Sequence, residues 1–127
     1  MYNNTDFGIK DIVDNQKSLF YVLTPEEKEE LQHHISLSNY RKNEFIFKEG
    51  DKPTGLIILV DGKVKIYKEG VGGREQIIRM AKPHGVIGYR ALVSGENHIA
   101  SALTLEESVI CTVSAEFIVN RALKNND

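Results

Sequence analysis

The stretch His84–Ala102, HGVIGYRALVSGENHIASA, gathers residue types suited to holding an anion. Gly85 and Gly88 lead into Tyr89–Val93, long enough for one or two helical turns, and a polar turn at Ser94–Asn97 precedes His98. Arg90 lies in an otherwise apolar run just after Gly88. A guanidinium there would stand near a helix N-terminus that already favours negative charge; the competing reading is a solvated surface arginine. His98 ends the turn and opens a strand. It reads either as a pocket-lining imidazole, able to donate to an anion or bind a metal, or as a surface residue flanking the turn.

Other reactive residue types read more plainly. His33 and His34 are adjacent, so on a helix they point about 100° apart, a poor arrangement for one metal ion, and they read as a helix-end cap. Cys111, the single cysteine, excludes an internal disulfide and sits in a strand pattern beside Ile110, where a small buried side chain is expected. GVGG at 70–73 is followed by neither Lys-Ser/Thr nor a helix, so it reads as a flexible hairpin loop, not a phosphate loop. No nucleophile–base–acid set is visible. The 4 histidines do not form the clustered His-carboxylate pattern that a metal enzyme on a β-roll needs. No enzymatic activity is expected.

The elements that must position these residues are short. At 127 residues the chain is one domain long. Lys+Arg 16 against Asp+Glu 18 gives a net charge of −2, not the profile of a module that grips nucleic acid. The longest apolar run, Leu56–Val60, is far too short for a membrane span. MYNNTDFGIKDIVDN lacks the basic flank and apolar core of a signal peptide, so a cytoplasmic location is expected.

Residues 1–10 read as loosely ordered. Ile12, Val13, Leu19, Phe20 and Leu23 suit the apolar face of one or two short helices. TPEE at 24–27 is a helix start, with Thr24 as N-cap, Pro25 at the first position and Glu27 closing a capping box. His33 and His34 would end that helix in accord with its dipole. Strand patterns follow: Ile35 and Leu37, Phe45 and Phe47, then GLIILV at 55–60, apolar throughout and so covered on both faces. Asp61-Gly62 joins it to KVKIYK, a strong hairpin signal. QIIRMA, Ser101–Leu105 and Ser108–Val113 complete about eight strands, and Ser114 is placed to cap a last helix, Ala115–Lys124, whose apolar side carries Phe117, Ile118, Ala122 and Leu123. Turn signals every 8–12 residues favour a sandwich or barrel, and no crossover helix long enough for a parallel sheet is present.

From Leu23 to Phe117 the sequence resembles the cyclic nucleotide-binding domain of the Crp/Fnr transcription regulators. The matching pieces are LTPEEKEEL, YRKNEFIFKEGDKPTGLIILVDGKVKIYKEGVGGREQIIRMAKPHGVIG and SVICTVSAEF. Gly50, Gly62, Gly73, Gly85 and Gly88 fall where the family has its turns. The resemblance implies a mainly β fold: an antiparallel double-stranded β-helix, or jelly roll, flanked by short α-helices, with a ligand pocket inside it. It further implies a sensing roll over 11–114 and the start of a C-terminal dimerisation helix at 115–127. DNA contact would belong to a helix-turn-helix domain absent from this chain, in a full-length homodimer, with this fragment dimerising weakly or not at all.

In members that bind cyclic nucleotides, the pocket segment reads Gly-Glu-Leu, then about eight residues, then Arg-Ser/Thr-Ala. The glutamate accepts from the ribose and the arginine holds the cyclic phosphate. Here Gly88 matches the glycine, Tyr89 takes the glutamate position and Arg90 that of the leucine, with Ala91 following. His98 takes the arginine position, Ile99 the Ser/Thr and Ala100 the alanine. Tyr89 is not a carboxylate, and a neutral imidazole cannot form the fork that arginine makes with phosphate. The resemblance therefore implies a sensing pocket for an effector other than cAMP, at Gly88, Tyr89, Arg90, Ala91, His98, Ile99 and Ala100.

GYRALVSGE is also similar to Crp/Fnr regulators of Bacteroidetes type, some linked to nitrosative-stress control. That suggests a second reading, a gas or redox sensor with non-covalent haem. Its axial ligand would come from Met80, His84, Tyr89, His98 or Cys111, all expected near the pocket. One cysteine excludes an iron–sulfur cluster of the Fnr kind. A third reading is a ligand-free dimerisation scaffold with a collapsed pocket.

Overall fold

The structure, a computed structural model, describes residues 23–118. The expectations at residues 1–10, at the N-terminal apolar positions up to Phe20, and at Ala122 and Leu123 lie outside the described residues.

Helix α1 (Pro25–Gln32) opens with the expected capping box. The Glu27 amide donates to Thr24 Oγ1 at 3.2 Å, and the Thr24 amide donates to Glu27 Oε1 at 2.9 Å. The helix ends one residue before the histidine pair. His33 is the C-cap and His34 lies beyond it, so the expectation that both close the last helical turn is corrected. His34 is held instead by tertiary contacts, its ring 4.9 Å from that of Phe117 and its Nδ1 3.5 Å from Ser114 Oγ.

Among the described residues, eight antiparallel strands follow: β1 (Ile35–Tyr40), β2 (Phe45–Phe47), β3 (Gly55–Asp61), β4 (Val64–Glu69), β5 (Glu75–Ala81), β6 (Val86–Ile87), β7 (Ser101–Thr104) and β8 (Ser108–Ser114). They form two four-stranded sheets, ordered β1-β8-β3-β6 and β2-β7-β4-β5. The fold is mainly β, as the sequence implies. A short helix, α2 (Tyr89–Ser94), joins β6 to β7, and a helix begins at residue 115, where the Phe117 amide donates to Ser114 Oγ at 3.3 Å. The glycine loop between β4 and β5 contains a single 3-10 turn, Val71–Gly73.

The continuous apolar run of β3 has the expected cause. Ile57 and Leu59 point into a core between the sheets with Phe47, Val64, Ile66, Ile87, Ala102 and Ile110. Leu56, Ile58 and Val60 point the other way, into a second core with Leu31 of α1, Leu92 of α2, Cys111 of β8 and Phe117. β3 is thus buried on both faces, which removes the alternation normally seen in a half-buried strand. The β3–β4 hairpin turns on Gly62 at φ 114°, where an added Cβ would lie 2.1 Å from Ser108 Oγ. No described helix is long and apolar enough to cross a membrane.

Candidate functional site

Every residue assigned to the pocket from sequence lines one cavity of about 480 Å³. Gly88, Tyr89, Arg90 and Ala91 come from the start of α2, and His98, Ile99 and Ala100 from the segment before β7. Phe47 of β2, Ile66 of β4, and Ile78 and Arg79 of β5 complete the lining. The volume falls within the range of small-molecule sites, roughly 300–1,000 Å³.

Gly88 is the hinge of this arrangement. It caps α2 in the left-handed region at φ 74°, and an added Cβ would approach His98 Cε1 to 2.7 Å and Phe47 Cε2 to 3.2 Å. No other residue type combines that dihedral with that clearance. The space it leaves is filled by His98, which is 5% exposed. The imidazole lies flat on Phe47, with ring centroids 3.6 Å apart and planes 7° from parallel. Its backbone is pinned at both ends, since His98 N donates to Asp51 O at 2.9 Å and Gly50 N donates to His98 O at 2.7 Å. Burial lowers the His98 pKa below its ordinary value, against a smaller opposing pull from Asp51. The ring is therefore neutral near pH 7, and the surface reading of His98 is set aside. The strand spans Ser101–Thr104, within the run Ser101–Leu105 read from the sequence, so His98 lies three residues before it and does not open it.

Tyr89 and Ile99 are 54% and 57% exposed and form the rim. Arg90 is also exposed, and it borders a small adjoining depression together with Glu96. The floor is apolar, supplied by Phe47, Ile66, Ala91 and Ala100. The cavity lining itself contains arginine but no carboxylate.

Arg79, Ile78, Ile66 and Phe47 are the lining residues that sequence reasoning missed. Phe47 and Ile66 carry an ordinary strand alternation, which marks an inward face but does not separate cavity from core. Ile78 and Arg79 are consecutive, so a regular strand would send them to opposite faces. A β-bulge overrides this. Ile66 pairs with Arg79 and Tyr67 with Ile77, leaving Ile78 as the extra residue.

The haem-ligand candidates do not converge. Tyr89 and His98 line the cavity, but Met80, His84 and Cys111 do not. Cys111 is fully buried in the core on the far side of the first sheet, where burial pushes its thiol up to about 12. His84 sits in the β5–β6 turn at φ 72°, its amide donating to Leu59 O at 2.6 Å. Met80 flanks Arg79 on β5 and is 40% exposed. The expectation that all five gather at the pocket is corrected: Met80 and Cys111 are carried away by their places on β5 and β8, and His84 by its place in the turn. Among the described residues, no group of three or more His, Cys, Asp or Glu side chains is placed to hold a metal ion.

A two-sheet roll with a short helix bordering an open cavity matches known proteins. Residues 37–125 match the family described as "Cyclic nucleotide-binding domain", and the chain belongs to that family. Its homology extends to regulators of the Crp/Fnr type. The chain is 26% identical over 98 residues to the cyclic AMP receptor protein of Thermus thermophilus, a match covering 77% of this chain and 45% of that protein. It is 34% identical over 106 residues to a cGMP-dependent protein kinase of Toxoplasma gondii, covering 84% of this chain and 10% of the kinase. It therefore spans less than half the length of these relatives. The crystal structure of the sensor domain of the transcriptional regulator DNR from Pseudomonas aeruginosa has the same fold. That likeness has a TM-score of 0.80 at 22% identity, covering 92% of this chain and 78% of that one.

Proposed function

We propose that the chain is the non-catalytic effector-sensing domain of a Crp/Fnr-type transcription factor whose ligand is not cAMP. The observation that carries this reading is His98 at the position of the family's phosphate-holding arginine. It is buried, stacked flat on Phe47 and held neutral. A ring in that state offers no fork and no charge to a cyclic phosphate. Tyr89, at the ribose-binding position, supplies no carboxylate, and none occurs elsewhere in the lining. A charge-assisted hydrogen bond contributes about 1.5–3 kcal/mol, so losing the pair weakens a cyclic nucleotide by several orders of magnitude.

Helix α2 supports a route from ligand to output. Ala91 borders the cavity, while the next residue, Leu92, packs in the core that also holds Phe117 of the helix beginning at residue 115. A ligand that bound one position of α2 preferentially would bias the packing of that C-terminal helix. In the full-length protein this would alter the orientation of the paired DNA-binding domains.

The cavity volume speaks against a collapsed scaffold. The haem reading now rests on Tyr89 or His98 alone. The test is a ¹H–¹⁵N NMR titration of the labelled chain with a small-molecule set, alongside an absorbance titration with haem. Effector binding predicts shifts concentrated at Gly88–Ala91 and His98–Ala100. A Soret band of fixed stoichiometry that His98→Ala abolishes would replace this reading with the haem one.

A further inference from the structure

A second cavity, of about 700 Å³, lies behind the first. Neighbouring residues of one strand divide between the two: on β4, Ile66 borders the first and Tyr67 the second. Successive side chains of a strand point to opposite faces, so the cavities sit on opposite faces of the β2-β7-β4-β5 sheet. Ser101, the register partner of Tyr67, lines the second cavity with it. Phe47 and Phe45 are divided in the same way although they stand two residues apart. The β2–β7 register shifts between them, Phe45 facing Leu103 and Phe47 facing Ala102.

Two polar side chains in this lining are more than nine-tenths buried, Tyr67 at 7% and Ser101 at 8% exposed. The Tyr67 hydroxyl makes no hydrogen bond among the described residues. Ser101 Oγ accepts from the Glu49 amide at 2.9 Å and keeps its own proton uncommitted. Both hydroxyls are therefore available to an occupant. Glu49 and Glu69 also border the cavity, and neither carboxylate is paired among the described residues. Lys48 is the single cation of the lining, and its Nζ lies 4.9 Å from the centre of the Phe45 ring. The lining is thus net negative, and one of its aromatic faces already seats an ammonium. An anion would meet two carboxylates against one lysine. A metal ion lacks the third ligating side chain.

We infer that this cavity is a second ligand site and that it takes a small organic amine, protonated at neutral pH, with an apolar body. The ammonium pairs with Glu49 and Glu69, the body takes over the Phe45 face from Lys48, and a polar tail reaches the hydroxyls of Tyr67 and Ser101. The site does not rest on the effector reading.

Calorimetry of the intact chain with tyramine, phenethylamine and 5-amino-1-pentanol, each paired with its uncharged N-acetyl derivative, tests this. At least one amine is expected to bind about tenfold or more tightly than its derivative. Replacing both carboxylates, Glu49→Gln with Glu69→Gln, should abolish that preference. Lys48→Met should raise amine affinity by removing a competing cation, an effect that a merely structural role for Lys48 would not produce. In ¹H–¹⁵N spectra the amide shifts should fall at Lys48–Gly50, Glu69–Gly73 and Ser101. Thermal unfolding of the variants checks that the sheet remains folded. No binding by any amine, equal affinity for amine and derivative, a preference that survives loss of both carboxylates, an amine affinity that Lys48→Met leaves unchanged or lowers, or shifts centred on Gly88–Ala91 would each overturn the assignment.

Discussion

Gly88, His98 and Phe47 act as one unit, because the missing Cβ of the first admits the ring of the second onto the third. Gly88→Ala adds strain at φ 74° and drives a methyl group into the stack. It should cost about 1–3 kcal/mol, measured as a lower urea midpoint; an unchanged midpoint would contradict the packing. His98 also gives stability a pH dependence. Its folded pKa is lowered from 6.5, so as pH falls below that value the unfolded chain takes up the proton first. Its stabilising contribution is complete above pH 6.5 and declines as the solution is acidified. His98→Gln should therefore flatten the fall in stability between about pH 7.5 and 5, and an identical slope would count against a buried neutral ring. Cys111 behaves in the opposite sense. With its pKa pushed up to about 12, the native thiol stays protonated and inert, and iodoacetamide at neutral pH should label it only after unfolding.

Among the elements, those with strong local signals were the legible ones. The Thr24 capping box, the Asp61-Gly62 turn and the continuous run of β3 each carry their cause within a few residues. Thr24→Ala should accordingly cost about 1 kcal/mol in thermal or chemical denaturation, with no effect on the cavity. The bulge of β5 has no such local signal. It is defined by which residue of β4 faces which residue of β5, so QIIRMA reads as a plain alternating strand until the pairing is known. Arg79 was invisible as a site residue for that reason. Of the histidine pair, His33 caps the helix as read, while His34 was misread through a local rule that tertiary packing overrides: it lies beyond the cap and meets Phe117 and Ser114.

At the scale of the whole molecule, the family resemblance placed the cavity residues together, and the structure adds what surrounds them. Sequence spacing aligned Tyr89 and His98 with the family's ligand positions. It did not show that His98 is buried and stacked, nor that Met80, His84 and Cys111 lie elsewhere. Those facts depend on two sheets closing over each other, a non-local event. The net charge of −2 belongs to this scale as well. At that net charge, the chain alone should show no mobility shift with duplex DNA at physiological salt. The central claim concerns what the roll no longer holds, and calorimetric titration of the chain with cAMP tests it most directly. The account predicts a dissociation constant weaker than about 1 mM; saturable binding at micromolar concentration with one nucleotide per chain would contradict it.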